Sequence, residues 1–283
     1  MNDFMLSAFA DEIDPDLKIQ MDVLRQHGID HIEMRGVYGK SIVSYSLEEV
    51  KSIKQELDAN GFKISALGSP IGKIGILDDF RPHLDLFRHA LDIAAILETK
   101  YIRMFSFYMP EGESADKYRD EVLERWNSFL EAARDYDIVL LHENEKGIYG
   151  DTPERCLDLL ESLGSDRTGL TFDPANFVQC NVETYPKAFK MLKNHIRYMH
   201  IKDALYANHQ VVPAGHGDGR LGEILSGLKD HGFKGFLSIE PHLGDFIGFA
   251  DLEKEANVED LPEGGPKQFA IAANAFKKLI EVF

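Results

Sequence analysis

Residues 138–173, IVLLHENEKGIYGDTPERCLDLLESLGSDRTGLTFD, contain one complete strand–helix–strand unit. The apolar run IVLLHE ends at Glu143, an amphipathic segment follows it, and a second apolar run, TGLTFD, ends at Asp173. Short, nearly continuous apolar runs are typical of parallel strands that are buried on both faces. The unit therefore predicts two neighbouring parallel strands, each with a carboxylate at its carboxyl end.

The same alternation extends in both directions along the chain, where amphipathic helical patterns separate about eight apolar runs. Strict alternation of this kind predicts an α/β protein with a single (β/α)₈ TIM barrel over residues 1–283. An open doubly wound sheet is the alternative, but the first strand–helix turn, AFADEIDPD, has no glycine-rich phosphate loop. The runs are FMLSAFA (4–10), DHIEM (30–34), FKISALG (62–68), YIRMFSF (101–107), IVLLHE (138–143), TGLTFD (168–173), IRYMHIK (196–202) and GFLSIE (235–240).

Several helical segments have clear start and stop signals. Ser46 followed by Glu49 predicts a capping box at a helix start. Gly28, Gly61 and Gly232 each follow an amphipathic run, where a helix end favours a left-handed residue. These signals support the division of the chain into alternating strands and helices.

The two longest irregular stretches, 204–219 and 242–266, each follow a predicted strand. Loops of this length in a compact fold often carry function. We therefore expect both of them to cover the mouth of the barrel.

The composition is that of a soluble globular protein with a strongly acidic charge. Hydrophobic residues make up 44%, charged residues 28%, the formal net charge is −17 and the pI is near 5.0. This charge disfavours a nucleic-acid partner but not a small carbohydrate substrate. Cys156 and Cys180 have no metal-ligand spacing and predict no disulfide framework. Because the sequence has neither a charged-then-apolar leader nor an apolar run of membrane-spanning length, we expect a cytoplasmic protein that does not contact membranes. The sequence is compatible with a homo-oligomer.

Four residues of metal-ligand type lie at the ends of the last four predicted strands: Glu143, Asp173, His200 and Glu240. Taken singly, each has an ordinary interpretation as a loop carboxylate, a turn aspartate or a core histidine. A parallel barrel brings these strand ends together, so as a set they predict one metal site. Three carboxylates and one imidazole suit a hard to borderline divalent ion.

The two glutamates of this set also predict the chemistry. Glu143 and Glu240, on the fifth and eighth strands, would flank the ion from opposite sides. Two carboxylates that face one substrate carbon suit proton removal on one face and proton return on the other. An adjacent divalent ion stabilises the charge of an enediolate. The pattern indicates isomerisation or epimerisation beside a carbonyl.

In its motifs around the strand ends, the chain resembles the xylose-isomerase-like superfamily of TIM barrels, which contains sugar and sugar-phosphate isomerases and epimerases. The resemblance implies that Glu143, Asp173, His200 and Glu240 hold one divalent metal ion, with Mn²⁺ expected and Mg²⁺, Co²⁺ or Zn²⁺ as alternatives. It also implies that the two glutamates are the acid/base pair. The motifs are SAFADEI, DHIEMRGVYGK, SALGSPIGK, YIRMFSFY, LLHENEKG, FDPANF, MHIKD and SIEPH.

The chain departs from this family pattern in two places. Many sugar epimerases of this type have a histidine where this chain has Asn176, and an asparagine cannot carry a proton. An arginine often found after the seventh-strand histidine has no counterpart in residues 204–210. Substrate recognition must therefore differ from that of the ketose epimerases. Endonuclease IV is a further relative, but its multi-histidine metal set is not matched.

Further polar residues near strand ends are candidate substrate contacts. Lys202, Asn176 and Glu145 lie closest in sequence to the predicted ligands. If the cations near strand ends converge on the mouth, an anionic substrate is favoured, and if they are held in ion pairs, a neutral sugar or polyol is favoured. The remaining candidates are Arg35, Lys73, Arg103 and Tyr108.

The sequence thus predicts a metal-dependent isomerase or epimerase of a sugar, polyol or sugar phosphate. A dehydratase acting on a keto-polyol would use the same metal and base, but it would expel a hydroxyl group. A non-catalytic sugar-binding barrel is the third hypothesis. Fold alone does not separate the three.

Overall fold

Eight parallel strands pair into a closed barrel in the computed structural model, which describes residues 4–243 and 264–281. Closure is made by β1 against β8, with Met5 opposite Phe236 and Ala8 opposite Ile239. The predicted TIM barrel is therefore confirmed. The strands are β1 (Met5–Ala8), β2 (His31–Met34), β3 (Lys63–Gly68), β4 (Tyr101–Met104), β5 (Val139–Glu143), β6 (Thr168–Phe172), β7 (Ile196–Ile201) and β8 (Phe236–Ile239).

Helices follow the strands as the alternation predicts. The capping box at Ser46 is present, and Gly28, Gly61 and Gly232 all have positive φ, so these signals are confirmed. The helices are α1 (Leu17–Gln26), α2 (Leu47–Ala59), α3 (Phe80–Ile96), α4 (Arg119–Ala132), α5 (Pro153–Leu163), α6 (Pro174–Gln179), α7 (Phe189–Leu192), α8 (Leu221–Asp230) and α9 (Gly265–Ile280).

The region after β6, where the alternation predicts one helix, contains several short helical pieces instead. A short helix, α6, starts immediately after β6, because Asp173 caps it and Pro174 occupies its first turn. The segment Thr184–Ala188, in which Tyr185 is extended with φ −138° and ψ 132°, then leads into the four-residue α7. The predicted helix is thus divided into short pieces.

The centre of the barrel is unusually polar for this architecture, whose interior is generally filled by branched aliphatic side chains. Ser65 Oγ on β3 lies 2.6 Å from Ser7 Oγ on β1 and 2.8 Å from the Tyr198 hydroxyl on β7. Because β3 and β7 lie on opposite sides of the barrel, these groups meet in its interior. Glu33 on β2 is fully buried nearby. The large apolar core lies instead between the strands and the helices.

The loop after β7 is held down by one buried carboxylate. Asp203 Oδ2 accepts hydrogen bonds from the backbone N–H groups of Gly215 and Gly217, at 3.0 Å each, and Oδ1 accepts one from Gly219 at 2.8 Å. A Cβ atom on Gly217 would lie 2.3 Å from Asp203 Oδ1, so the approach requires glycine. The stretch 204–219 is therefore ordered, whereas residues 244–263 of the stretch 242–266 lie outside the described part of the chain. Among the described helices, none has the length and apolar character needed to cross a membrane.

Candidate metal centre

The structure brings the four predicted ligands together at the carboxyl end of the barrel. Glu143 is the last residue of β5, His200 lies in β7, and Asp173 and Glu240 follow β6 and β8 directly. One donor atom from each lies within 4.8 Å of the other three. All four side chains are buried, with residue exposures between 0% and 6%. Such a cluster of like charges needs a nearby cation.

The two ring nitrogens of His200 have different surroundings. Nε2 lies 3.1 Å from Glu33 Oε2, and a proton on Nε2 is donated to that carboxylate. Nδ1 faces the other carboxylates, at 3.1 Å from Glu143 Oε1 and 3.4 Å from Glu240 Oε2. A histidine whose outer N–H is held by a carboxylate presents its other nitrogen as a ligand in the correct orientation.

The charges of the cluster determine its protonation. Burial by itself would lower the pKa of His200, but the carboxylates of Glu143 and Glu33 raise that pKa well above its ordinary value. Burial would raise the pKa of Glu240, but Lys202 and His200 hold it well below its ordinary value. The Glu240 carboxylate is therefore ionised, and a metal ion at His200 Nδ1 must displace a proton.

Asp173 offers one oxygen to the backbone and leaves the other open. Its Oδ1 accepts a hydrogen bond from the N–H of Asn176 at 2.9 Å and so caps α6. Its Oδ2 is buried and has no well-oriented hydrogen bond within the described residues, although Lys202 Nζ lies 2.9 Å away. A buried carboxylate oxygen that has an ion-pair partner but no well-oriented hydrogen bond is suited to bind a metal ion. The residues present fit a divalent ion of the Mn²⁺, Mg²⁺, Co²⁺ or Zn²⁺ type.

Two asparagines hold the ligands in place. Asn144 accepts from the N–H of Asp173 at 2.9 Å and donates to its carbonyl at 2.8 Å. The Asn176 amide donates to Glu143 Oε1 at 3.1 Å. Asn176 thus orients a predicted proton-transfer group, which explains how an amide is tolerated at this position.

Each predicted cation is held in an ion pair. Lys202 Nζ lies 2.9 Å from both Asp173 Oδ2 and Glu240 Oε2. Arg103 Nε lies 3.2 Å from Glu143 Oε2. The other two pairs are between Arg35 and Asp11, at 2.8 Å, and between Lys73 and Glu145, at 3.2 Å.

A cavity of about 300 Å³ opens above the cluster. Its wall contains most of the predicted substrate contacts, but the residues that form it do not include Tyr108, which is 40% exposed on the loop after β4. The predicted residues in the wall are Arg35, Lys73, Arg103, Glu143, Glu145, Asn176, Lys202 and Glu240.

Glu33 and His242 are site residues that the sequence interpretation missed. Glu33 is a charged residue inside the apolar run DHIEM, and this was the available signal. His242 Nδ1 lies 2.9 Å from Glu12 Oε1 and 3.3 Å from Glu240 Oε1. A sequence pattern does not predict side-chain contacts between β2 and β7, or between the loop after β1 and the loop after β8.

The fold and the site together define a parallel α/β barrel with a buried cluster of three carboxylates and one histidine, which could hold a metal ion, at its carboxyl end. The sequence profile of the family "Xylose isomerase-like TIM barrel" matches residues 21–263. The chain belongs to this family.

Solved structures of similar shape cover nearly the whole chain. A D-tagatose 3-epimerase-like protein has a TM-score of 0.74 at 19% identity, with 99% of each chain covered. The IOLI protein with a bound zinc atom has a TM-score of 0.76 at 17% identity, again with 99% of each chain covered. The probable 3-DHS dehydratase AsbF from Bacillus anthracis has a TM-score of 0.73 at 15% identity, covering 97% of this chain and 98% of that one. At these identities the likeness establishes the fold.

One curated relative is an uncharacterized protein of Methanocaldococcus jannaschii, 28% identical over 184 residues. The match spans 61% of this chain and 61% of that relative.

Proposed function

We propose that the protein is a divalent-metal-dependent isomerase or epimerase of a sugar or polyol, built as one barrel domain over residues 1–283. The observation that carries the proposal is the placement of Glu143 and Glu240 on β5 and after β8, within one cluster that also holds Asp173 and His200. Two buried, ionised carboxylates beside one cavity are suited to moving a proton between two faces of a substrate carbon.

The resident ion would be held by Glu143, Asp173, His200 and Glu240, and when bound it supplies electrostatic stabilisation of negative charge on a substrate oxygen. Glu240 takes the proton from the carbon next to the carbonyl, and Glu143 returns a proton from the other side. Lys202 donates a hydrogen bond to the oxygen on which charge develops. The Asn176 amide holds Glu143 in position.

The ion pairs favour a neutral substrate over a sugar phosphate. Arg35, Lys73, Arg103 and Lys202 all reach the cavity wall, but each lies within 3.2 Å of a carboxylate. A cation already neutralised by a partner offers little net attraction to an incoming phosphate. The proposed substrate is therefore an uncharged ketose or polyol.

A dehydratase of a keto-polyol is the second candidate, supported by the likeness to the probable 3-DHS dehydratase of B. anthracis. The same base would remove the proton, and a hydroxyl group on the neighbouring carbon would leave. The two reactions differ in their product. Absorbance of an unsaturated ketone on incubation with keto-polyols supports the dehydratase, and interconversion of two sugars of equal mass supports the isomerase.

Single substitutions of the two glutamates test the proposal. In Glu240→Gln and Glu143→Gln, the amide carbonyl still offers a ligand atom but the base is lost, so sugar interconversion falls by at least about 10²-fold. In D₂O each variant retains exchange of the substrate proton from one epimer only, because one base remains. Glu161→Gln, a change at an exposed position on α5, is the matched control. Unchanged turnover in Glu240→Gln would remove the two-base mechanism.

A further inference from the structure

A second cavity lies beside the metal-centred one, on the side of the loops after β1 and β2. It has a volume of about 340 Å³, similar to that of the first cavity. Arg35 and Ser41 belong to the walls of both. The two spaces are therefore neighbours across a narrow border rather than separate surface features. The other wall residues of the second cavity are Asp11, Pro15, Gly36, Val37, Gly39 and Lys40.

The border between the two cavities is a fixed structure. The Arg35 guanidinium lies 4.6 Å from the centre of the Phe9 ring. It pairs with Asp11 on the side of the second cavity, and its Nη1 lies 3.7 Å from Glu240 Oε1 on the metal side. A further bond from Nη2 to Glu12 Oε1, at 3.0 Å, completes the arrangement. A planar cation held by three carboxylates keeps one position and so defines a boundary between two binding spaces.

The outer wall of the second cavity is a preformed hairpin. Gly36–Val37 pairs with Lys40–Ser41, and the two turn residues, Tyr38 and Gly39, have φ values of 51° and 72°. Two positive φ values are those of a type I′ turn, which matches the twist of a hairpin. The Tyr38 N–H donates to the carbonyl of Pro15 at 2.6 Å, which ties the hairpin to the first loop. The wall is therefore held by hydrogen bonds within the protein itself.

The chemistry of this second cavity suits hydroxyl groups. Its wall offers the Asp11 carboxylate, the Lys40 ammonium, the Ser41 hydroxyl and backbone groups of a glycine-containing turn. The Arg35 charge is already balanced by Asp11 and Glu12, so the cavity has no concentrated positive charge for a phosphate. Mixed donors and acceptors in a small polar cavity are suited to a sugar ring.

We propose that this second cavity is a binding subsite for a second sugar ring, so that the substrate is a glycosylated ketose rather than a free monosaccharide. This rests on the proposed function, because the reacting unit is placed at the metal centre. The second unit lies beyond Arg35, against Asp11, Lys40 and the hairpin. Specificity then comes from a ring that takes no part in the proton transfer.

Binding measurements separate the subsite from the reaction. Isothermal titration calorimetry in the presence of Mn²⁺ compares D-fructose, D-fructose 6-phosphate and isomaltulose, in which fructose carries a glucosyl unit. The proposal expects isomaltulose to bind at least about tenfold more tightly than fructose. Lys40→Ala removes a donor of the second cavity, and Gly39→Asn narrows its rim with a residue that tolerates positive φ. Each lowers isomaltulose affinity by about fivefold to tenfold and leaves fructose affinity unchanged.

Lys63→Ala, at the opposite end of the barrel, is the matched control and changes neither affinity. Equal affinities for fructose and isomaltulose overturn the subsite, as does an equal effect of Lys40→Ala on both sugars, or no binding of any probe. A phosphate preference that is lost in Lys40→Ala replaces the sugar subsite with an anion site. If isomaltulose binds preferentially but no sugar exchanges its proton with D₂O, the subsite stands and the proposed reaction fails.

Discussion

At the scale of single residues, the site depends on groups that do not touch the proposed ion. His200 presents Nδ1 to the cluster because Glu33 holds Nε2 at 3.1 Å from below. Glu33 is itself 3.6 Å from Arg103 Nε, which also approaches Glu143. One buried carboxylate thus sets the orientation of a ligand and shares a cation with a proposed base.

Glu33→Gln is expected to weaken metal binding without removing a ligand. The neutral amide accepts the Nε2–H bond less strongly than the carboxylate, so the imidazole is a poorer donor and is less well oriented. We expect the Mn²⁺ dissociation constant to rise by about tenfold to a hundredfold. Electron paramagnetic resonance titration of free Mn²⁺ measures this constant, with the exposed Glu161→Gln as the control. An unchanged constant would mean that Glu33 has no role in orienting His200.

The sequence predicted ligands more readily than their supports. The sequence predicted the convergence of four residues, because each lies at or near the end of an apolar run and barrel geometry brings such ends together. These residues are Glu143, Asp173, His200 and Glu240. The contact between Glu33 and His200 was not readable, because strands β2 and β7 are not neighbours in the barrel. Side-chain contacts across a barrel depend on register and tilt, which a hydrophobic pattern does not specify.

At the scale of secondary-structure elements, loops are fixed by buried polar groups. His83 on α3 accepts a hydrogen bond from the Gly72 N–H at 2.7 Å, and this holds the loop that carries Lys73 to the cavity wall. Asp203 similarly gathers three glycine N–H groups after β7. The capping box of α2 was predictable from spacing, but these long-range contacts were not, since they join residues brought together only by folding.

The His83 contact makes stability depend on pH. Burial and the nearby Arg125 lower the pKa of His83 from 6.5 to about 4, so the folded state keeps the ring neutral. Below pH 6.5 the unfolded chain binds a proton that the folded state does not, so stability is lost as pH falls from 6.5 to 4. The loss from this group approaches about 1.4 kcal/mol per pH unit.

Urea unfolding at pH 7, 6 and 5 measures this dependence. His83→Gln retains an acceptor for Gly72 but has no titrating ring, so its free energy of unfolding is expected to fall less steeply over this range. His195→Gln is the comparison. The described hydrogen bonds of His195 are made by its backbone, so this change removes a ring without removing one of them. Identical slopes in wild type and His83→Gln would contradict the assignment.

Asp203→Asn is expected to destabilise the loop after β7. One carboxylate oxygen becomes an amide that donates, so one set of glycine N–H groups loses its acceptor in a buried site. Leaving buried donors unpaired costs about 1–3 kcal/mol. Urea denaturation measures the loss, and limited proteolysis locates it to residues 204–219. The exposed Asp166→Asn is the control. Equal stability of the two variants would show that the Asp203 hydrogen bonds to the glycine N–H groups are dispensable.

At the scale of the whole molecule, the alternation of eight apolar runs with amphipathic helices was sufficient to predict the barrel. The number of units and their order set the fold, because parallel strands with helical crossovers pack in few ways. The short pieces α6 and α7 escaped prediction, since α6 starts directly at Pro174 and the extended Tyr185 interrupts the helical segment before α7. The loops were predictable in position but not in the contacts that they make.

The proposed ion should stabilise the whole barrel, because its ligands come from β5, β6, β7 and β8. Mn²⁺ at a hundred times its dissociation constant stabilises the folded state by about 2.7 kcal/mol. We expect the Tm to rise by about 5 °C relative to a chelated sample. Differential scanning calorimetry measures the shift, KCl of equal ionic strength is the control, and Asp173→Asn should reduce it. A Tm that is the same in Mn²⁺ and in KCl would argue against the site.

The hydroxyl groups at the centre of the barrel stabilise the native register of the strands over other registers. Ser65 lies at an irregularity in the pairing of β2 with β3, where Ile32 faces Ile64 and Glu33 faces Ala66. A different alignment of β3 would move the Ser65 hydroxyl away from its two partners. The hydroxyls of Ser7 and Tyr198 would then lose their shared partner in a buried space, whereas one aliphatic side chain readily substitutes for another. An apolar centre is stabilised by any dense packing, whichever residues face each other. This one distinguishes the native alignment from its nearest errors, and a redesign that filled it with leucine would lose that discrimination while keeping the volume.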